Sequence, residues 1–218
     1  MSTRYILDIA TCPIEGAEVW LPAVKAKGNL KDPAKIADDI AEKEAKQRDE
    51  MGLDIDLCRI SAIGLCDVSG WEPKPIEIRV AETESDELCV LRSWRKTLRD
   101  AETVTFNGLG FDLPLIERRM LYLGLPPLGW NLDKYRTNHI DLLAKLTNHG
   151  QRPYRSLQFY AKRLGWTDLT KTLSGAEEAL APSRGQWDEL RASVEHDVTA
   201  TLRLAQWMRV IQPATVAA

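Results

Sequence analysis

The chain has 218 residues, of which 44% are hydrophobic and 28% charged, and its formal net charge is −3. At roughly 150 residues per domain, that suits one large domain or one domain with an insertion, and the composition excludes disorder, collagen or coiled coil as a description of the whole. The acidic balance speaks against a basic nucleic-acid coat, although an enzyme acting on nucleic acid needs only a local basic rim.

No apolar run is long enough to cross a membrane, so no membrane partner is expected. The start, MSTRYILDIATCP, carries an acid at Asp8 and no long apolar region, so it does not read as a secretory signal. Cysteines at 12, 58, 66 and 89 show no CxxC spacing and read as reduced thiols, which points to a cytosol.

Arg4 to Ile9 reads as a strand, apolar toward its end and therefore central. Glu18 to Leu21 is a short strand or a loop. Asp32-Pro33 starts a helix, with Asp as cap and Pro at the first helical position. That helix runs from Ala34 to Met51 with few apolar anchors, so it is solvated and held by spaced acid–base pairs. The pattern gives one domain over residues 1–218 with a charged helical insertion at about 22–52.

Cys58 to Asp67 and Ile76 to Val80 read as strands around the turn-rich SGWEPKP. Ser85 to Arg99 is an amphipathic helix with Leu88, Leu91, Trp94 and Leu98 on one face. Thr103 to Phe106 is a short buried strand. Helices follow at Pro114 to Leu123, Ser156 to Leu164 and Trp187 to Val210. The order predicts an α/β fold: a mixed sheet, antiparallel in its first strands and then parallel, flanked by helices.

Three acids stand where acids are costly. Asp8 lies inside an apolar strand and needs a partner, either a basic side chain or a metal cation. Position 10 shares its strand face and is Ala10. Asp112 ends the run Asn107-Gly-Leu-Gly-Phe-Asp, which follows a strand and opens a helix; it reads as an N-cap, or as a carboxylate aimed across the strand ends. Asp197 borders the apolar stripe Trp187, Leu190, Val194, Val198, Thr201, Ala205, Met208, and so turns toward the core. On the same wheel His196 points away and reads as a surface histidine.

These segments resemble the DEDD superfamily of 3′–5′ exonucleases, built on the RNase H-like fold. The resemblance is to the group of predicted exonucleases similar to the proofreading domain of family B DNA polymerases, many of them phage-encoded. YILDIATCP at 5–13 looks like the first motif, normally Asp-x-Glu-Thr. TFNGLGFDLPLIERR at 105–119 is very similar to the second. YRSLQFYAKRLGW at 154–166, KTLSGAEEAL at 171–180 and LRASVEHDVTATLRL at 190–204 look like the third and the helix before it.

The resemblance implies a metal-dependent exonuclease acting on DNA, a single strand or a 3′ end, with RNA as another possible substrate, in a bacterial or phage-infected host cytosol. It implies Asp8, Asp112 and Asp197 as catalytic residues and ligands of two divalent cations, Mg²⁺ or Mn²⁺, which hard oxygen donors suit. Ala10, Thr11, Cys12, Asn107, Leu109 and Phe111 would border the terminal nucleotide. Arg152, Arg155, Lys162, Arg163 and Lys171 are either a solvated face or a phosphate rail.

Two departures stand out. Ala10 replaces the first-motif Glu, and the third motif lacks its base: Ser193 stands where a Tyr is usual, and Ala192 where the other subgroup has His. Serine is too weak a base for that role. The expectation is a strongly impaired nuclease. The alternatives are a catalytically decayed nucleic-acid-binding module, or an exoribonuclease of the same fold. The oligomeric state is not readable from the sequence.

Overall fold

The computed structural model describes residues 3–169, 171 and 173–211; Thr172, within KTLSGAEEAL, lies outside them. Five strands form one mixed sheet: β1 (Arg4–Pro13), β2 (Cys58–Asp67), β3 (Glu77–Val80), β4 (Glu102–Thr105) and β5 (Ile140–Asp141), in the order β3-β2-β1-β4-β5. The first three are antiparallel neighbours, and β4 and β5 add in parallel. Seven α-helices flank the sheet among the described residues: α1 (Pro33–Glu50), α2 (Glu84–Arg99), α3 (Asp112–Tyr122), α4 (Leu142–Leu146), α5 (Leu157–Arg163), α6 (Gly175–Leu180) and α7 (Trp187–Trp207). No described helix is long and apolar enough to cross a membrane.

Strand alternation divides the core in two. Ile6 and Ala10 of β1 face α7, where they meet Leu190, Val194 and Val198. Leu7 and Ile9 face α2 and α3, against Leu91, Leu98, Leu113 and Ile116. A β-bulge skips Ser61: Ala10 pairs with Ala62, but Thr11 pairs with Ile60. The extra residue reverses parity along β2, so Cys58 and Ile60 face α2 and α3 together with the odd-numbered Ile63 and Leu65.

Under the bulge lies a buried ion pair. Arg119 of α3 donates from Nε and Nη2 to both carboxylate oxygens of Glu87 in α2, at 2.9 and 2.7 Å. Glu87 also accepts the Ile60 N–H at 2.9 Å. This cluster ties both helices to the sheet.

The helix caps follow the sequence signals. Asp32 accepts the Ala34 N–H at 3.0 Å ahead of α1, and α1 is largely exposed. Glu18 to Leu21, read as a short strand or a loop, fall on a 3₁₀ turn over Ala17–Trp20, with Leu21 as its C-cap. The two-residue β5 and the short helices α4 and α6 had no counterpart in the sequence pattern. Each is too brief to show a period.

Candidate active site

β4 pairs only with Arg4 to Ile6 of β1, so the β4-side edge of β1 is open beyond that point. Into that opening the chain after β4 makes a tight reversal. Asn107 takes a left-handed conformation, φ 67°, which Asn tolerates better than most residues. Gly108 passes so close to Thr105 that a Cβ there would stand 2.3 Å from the Thr105 Oγ1.

Asp141 pins the reversal. Its carboxylate accepts the N–H groups of Asn107 and Leu109 at 3.0 and 3.1 Å, and it caps α4 through Ala144 N at 3.1 Å. The turn delivers Asp112 to the first position of α3. Phe111, not Asp112, holds the N-cap position, and no side chain caps the helix there. Asp112 is only 7% exposed.

Asp197 comes from α7 and Asp8 from the middle of β1. With Asp112 they line one cleft of about 770 Å³, and the fourth carboxylate in its wall is Glu178 of α6. The Lys171 ammonium touches both Asp197 and Glu178, the latter at 2.9 Å. Ser193, fully buried, donates its hydroxyl to Glu178 at 2.6 Å. His196 is not a surface residue: its Nδ1 stands 3.1 Å from Asp197, and Gln158 of α5 lies 3.4 Å from its Nε2.

The electrostatics follow from this crowding. Removal from water pushes the Asp8 carboxyl well above the usual range, and Asp197, Asp112 and Glu178 push it further, against the pull of Lys171. Burial raises Asp112 to about 7, with Asp141 and Asp197 adding to the rise and backbone hydrogen bonds opposing it. Burial also raises Glu178, despite Lys171 and Ser193. Burial pulls Lys171 down, yet the two carboxylates beside it hold it above its ordinary value. The Asp197 hydrogen bond raises His196.

Four mutually repelling carboxylates are a hard-oxygen donor set that fits a divalent cation in kind. Among the described residues, no three His, Cys, Asp or Glu side chains are gathered tightly enough to hold one ion, and the cation in contact with Asp197 and Glu178 is Lys171.

Of the residues that the resemblance assigned to the terminal nucleotide, Ala10, Thr11, Asn107 and Phe111 line this cleft. Cys12 and Leu109 line other depressions, Cys12 beside Arg59 and Leu109 beside His139. Arg155 and Lys171 reach the cleft, while Arg152, Lys162 and Arg163 are exposed.

Sequence reasoning missed Glu178 and Asp141. The capping box Ser174-Gly-Ala-Glu177 was a signal for the first, because it starts a helix just before position 178. Asp141 caps α4 locally, but nothing local marks its part in the site, because the loop N–H groups it holds lie more than thirty residues away.

Residues 50–209 match the family model of the RNase H superfamily, and the chain belongs to that superfamily. Among solved structures it is similar to the family B DNA polymerase from the hyperthermophilic archaeon Pyrobaculum calidifontis. The match has a TM-score of 0.57 and 16% identity, and it covers 96% of this chain and 25% of that one. The chain therefore corresponds to about a quarter of the polymerase's length, and at that identity the likeness is one of fold. No curated protein matches the chain.

Proposed function

We propose that the protein is a 3′–5′ exonuclease of the DEDD type that hydrolyses phosphodiester bonds of DNA with the help of divalent cations. The observation that carries this reading is that Asp8, Asp112 and Asp197, from three separate elements, line one cleft at the open edge of β1. Membership of the RNase H superfamily supports a nuclease. DNA as substrate and the 3′ polarity rest on the resemblance of the motifs.

Asp8, Asp112 and Asp197 would hold Mg²⁺ or Mn²⁺, which when bound supply Lewis acidity toward the attacking water and the leaving oxygen. The chain provides the rest of the site. Phe106, Phe111, Leu143 and Leu157 give the cleft apolar walls for a sugar and base. The Arg155 guanidinium, 5.5 Å from the Phe159 ring, stands at its edge as a phosphate contact. Ser193 commits its proton to Glu178 and is no general base. His196 orients Asp197 through Nδ1.

A second reading, a nucleic-acid-binding module with a decayed site, is favoured by Ala10 and by the Lys171 ammonium seated against Asp197 and Glu178. A labelled single strand incubated with Mn²⁺ separates the two. Stepwise shortening from the 3′ end, lost in Asp8→Asn, is expected of the exonuclease. Strand binding with no shortening, unchanged in Asp8→Asn, supports the module. Preferential shortening of RNA over DNA would reassign the substrate.

A further inference from the structure

We infer that Glu178 supplies the carboxylate that position 10 lacks, so that the cation-binding set of this chain is Asp8, Asp112, Asp197 and Glu178; this rests on the exonuclease reading. The argument begins with space. Ala10 lies on the α7 side of the sheet, as Ile6 does, and by strand alternation shares that face with Asp8. It lines the cleft with a methyl group alone, where the resemblance calls for a carboxylate. α6 comes up to this part of the sheet from outside. Gly52 permits the approach: a Cβ there would stand 2.7 Å from the Ala179 Cβ and 3.6 Å from Pro13. Residue 178, next to that contact, turns into the same cleft that Asp8 and Ala10 line, near enough to Asp8 for the two carboxylates to act on each other.

The surroundings of Glu178 are those of a held ligand. Its side chain is 13% exposed, in a helix of six residues that mostly face solvent. Ser193 spends a fully buried hydroxyl on it, at 2.6 Å. Most telling is Lys171: one ammonium contacts both Glu178 and Asp197, so these carboxylates, from different helices, already share one cation. The ammonium is a single charge on a flexible four-carbon stem. A divalent ion entering between the two carboxylates carries twice the charge and can displace it.

On this account Ala10, Ser193 and Glu178 form one arrangement rather than two defects and an accident. The carboxylate has moved from the strand to a neighbouring helix. The small residue at 10 gives it room, and the hydroxyl at 193 fixes it. A merely structural Glu178, present only to pair with Lys171, would show no dependence on the residue at position 10 in Mn²⁺ binding.

The test is calorimetric Mn²⁺ titration of the full chain without nucleic acid, with thermal unfolding of each variant in parallel. Glu178→Gln is expected to weaken Mn²⁺ binding ~10-fold or more, given that even indirect supports of a metal site cost that much. Ala10→Glu in the Glu178→Gln background is expected to restore it, whereas Ala10→Glu alone brings no gain because the place is filled. If Glu178→Gln fails to fold, Ser193→Ala supplies the same test, since freeing Glu178 from its hydroxyl should weaken Mn²⁺ binding severalfold.

Unchanged Mn²⁺ affinity in Glu178→Gln, with affinity lost in Asp8→Asn, overturns the inference and leaves the exonuclease reading standing. A large gain from Ala10→Glu alone also overturns it. A wild-type chain that takes up no Mn²⁺ overturns both.

Discussion

Asp8 stands directly opposite Gly64 in the β1–β2 pair, and the missing side chain at 64 sets how closely α7 lies on the sheet. A Cβ at Gly64 would come within 2.8 Å of both Val194 Cγ1 and Val198 Cγ2. Those valines flank Asp197 in sequence. The glycine that faces the first carboxylate thus lets the helix bring the third one down to it.

Gly64→Ala is therefore expected to lift α7. Overpacking of this kind costs about 1–3 kcal/mol, more than the roughly 0.4–1 kcal/mol that Ala gains by restricting the unfolded chain. Urea unfolding should show the net loss. Mn²⁺ titration should weaken as well, although no carboxylate has changed. Normal Mn²⁺ binding in a destabilised Gly64→Ala would show that α7 adjusts without moving Asp197.

The Arg119–Glu87 pair gives a second test, on stability. Arg119→Met leaves Glu87 charged and buried, and breaking such a pair costs about 3–5 kcal/mol. Arg119→Met with Glu87→Leu should recover part of it. The Ile60 N–H then lacks its acceptor, so about 1–3 kcal/mol should remain lost in urea unfolding. A double variant less stable than Arg119→Met alone would refute this account of the cluster.

How much of this was legible in the sequence follows from how local each feature is. β2 was readable to the residue, because its ends are marked by turn residues and its interior is apolar. The three aspartates stood out because each breaks an apolar pattern. His196 was misread because the helical wheel assumed one buried face on α7, whereas α5 covers a second and brings Gln158 to the imidazole. The parity reversal at Ser61 depends on pairing with β1, which no strand shows by itself. Glu178 stood unmarked inside the motif-like segment KTLSGAEEAL, which shows no helical period of its own. Only the packing of α6 on the sheet brings it to the cleft that Asp8 and Ala10 line.

Asp141 is expected to matter through the loop it holds. Asp141→Ala removes the acceptor of Asn107, Leu109 and Ala144 N–H groups. These donors are only partly buried, so each left without its acceptor costs less than the roughly 1–3 kcal/mol of a fully buried one. Hydrogen exchange should accelerate at Asn107 and Leu109 ahead of the rest of the chain, and Asp141→Asn, which keeps one oxygen acceptor, should fall between. Uniformly faster exchange would mean that Asp141 supports the fold at large rather than this turn.

The crowded carboxylates make the cation-free protein sensitive to pH in an unusual direction. Asp112 titrates at about 7 in the folded chain, against an ordinary value of 3.8. Between those values the folded state keeps a proton that the unfolded state has released. Stability must then fall as pH rises through this window and level off above it, opposite to the behaviour of an ion-paired carboxylate. Asp8 and Glu178, also raised, act in the same sense. In the presence of EDTA, the melting temperature should therefore drop from about pH 5 to about pH 8. Asp112→Asn should flatten that slope and melt higher than wild type at the alkaline end. Mn²⁺ should oppose the drop, because cations compete with protons for the same oxygens. Thermal unfolding followed by circular dichroism across this range, with and without Mn²⁺, checks all three. A wild-type profile that is flat or rising in EDTA would show that burial and mutual repulsion do not raise these carboxyls in the folded chain.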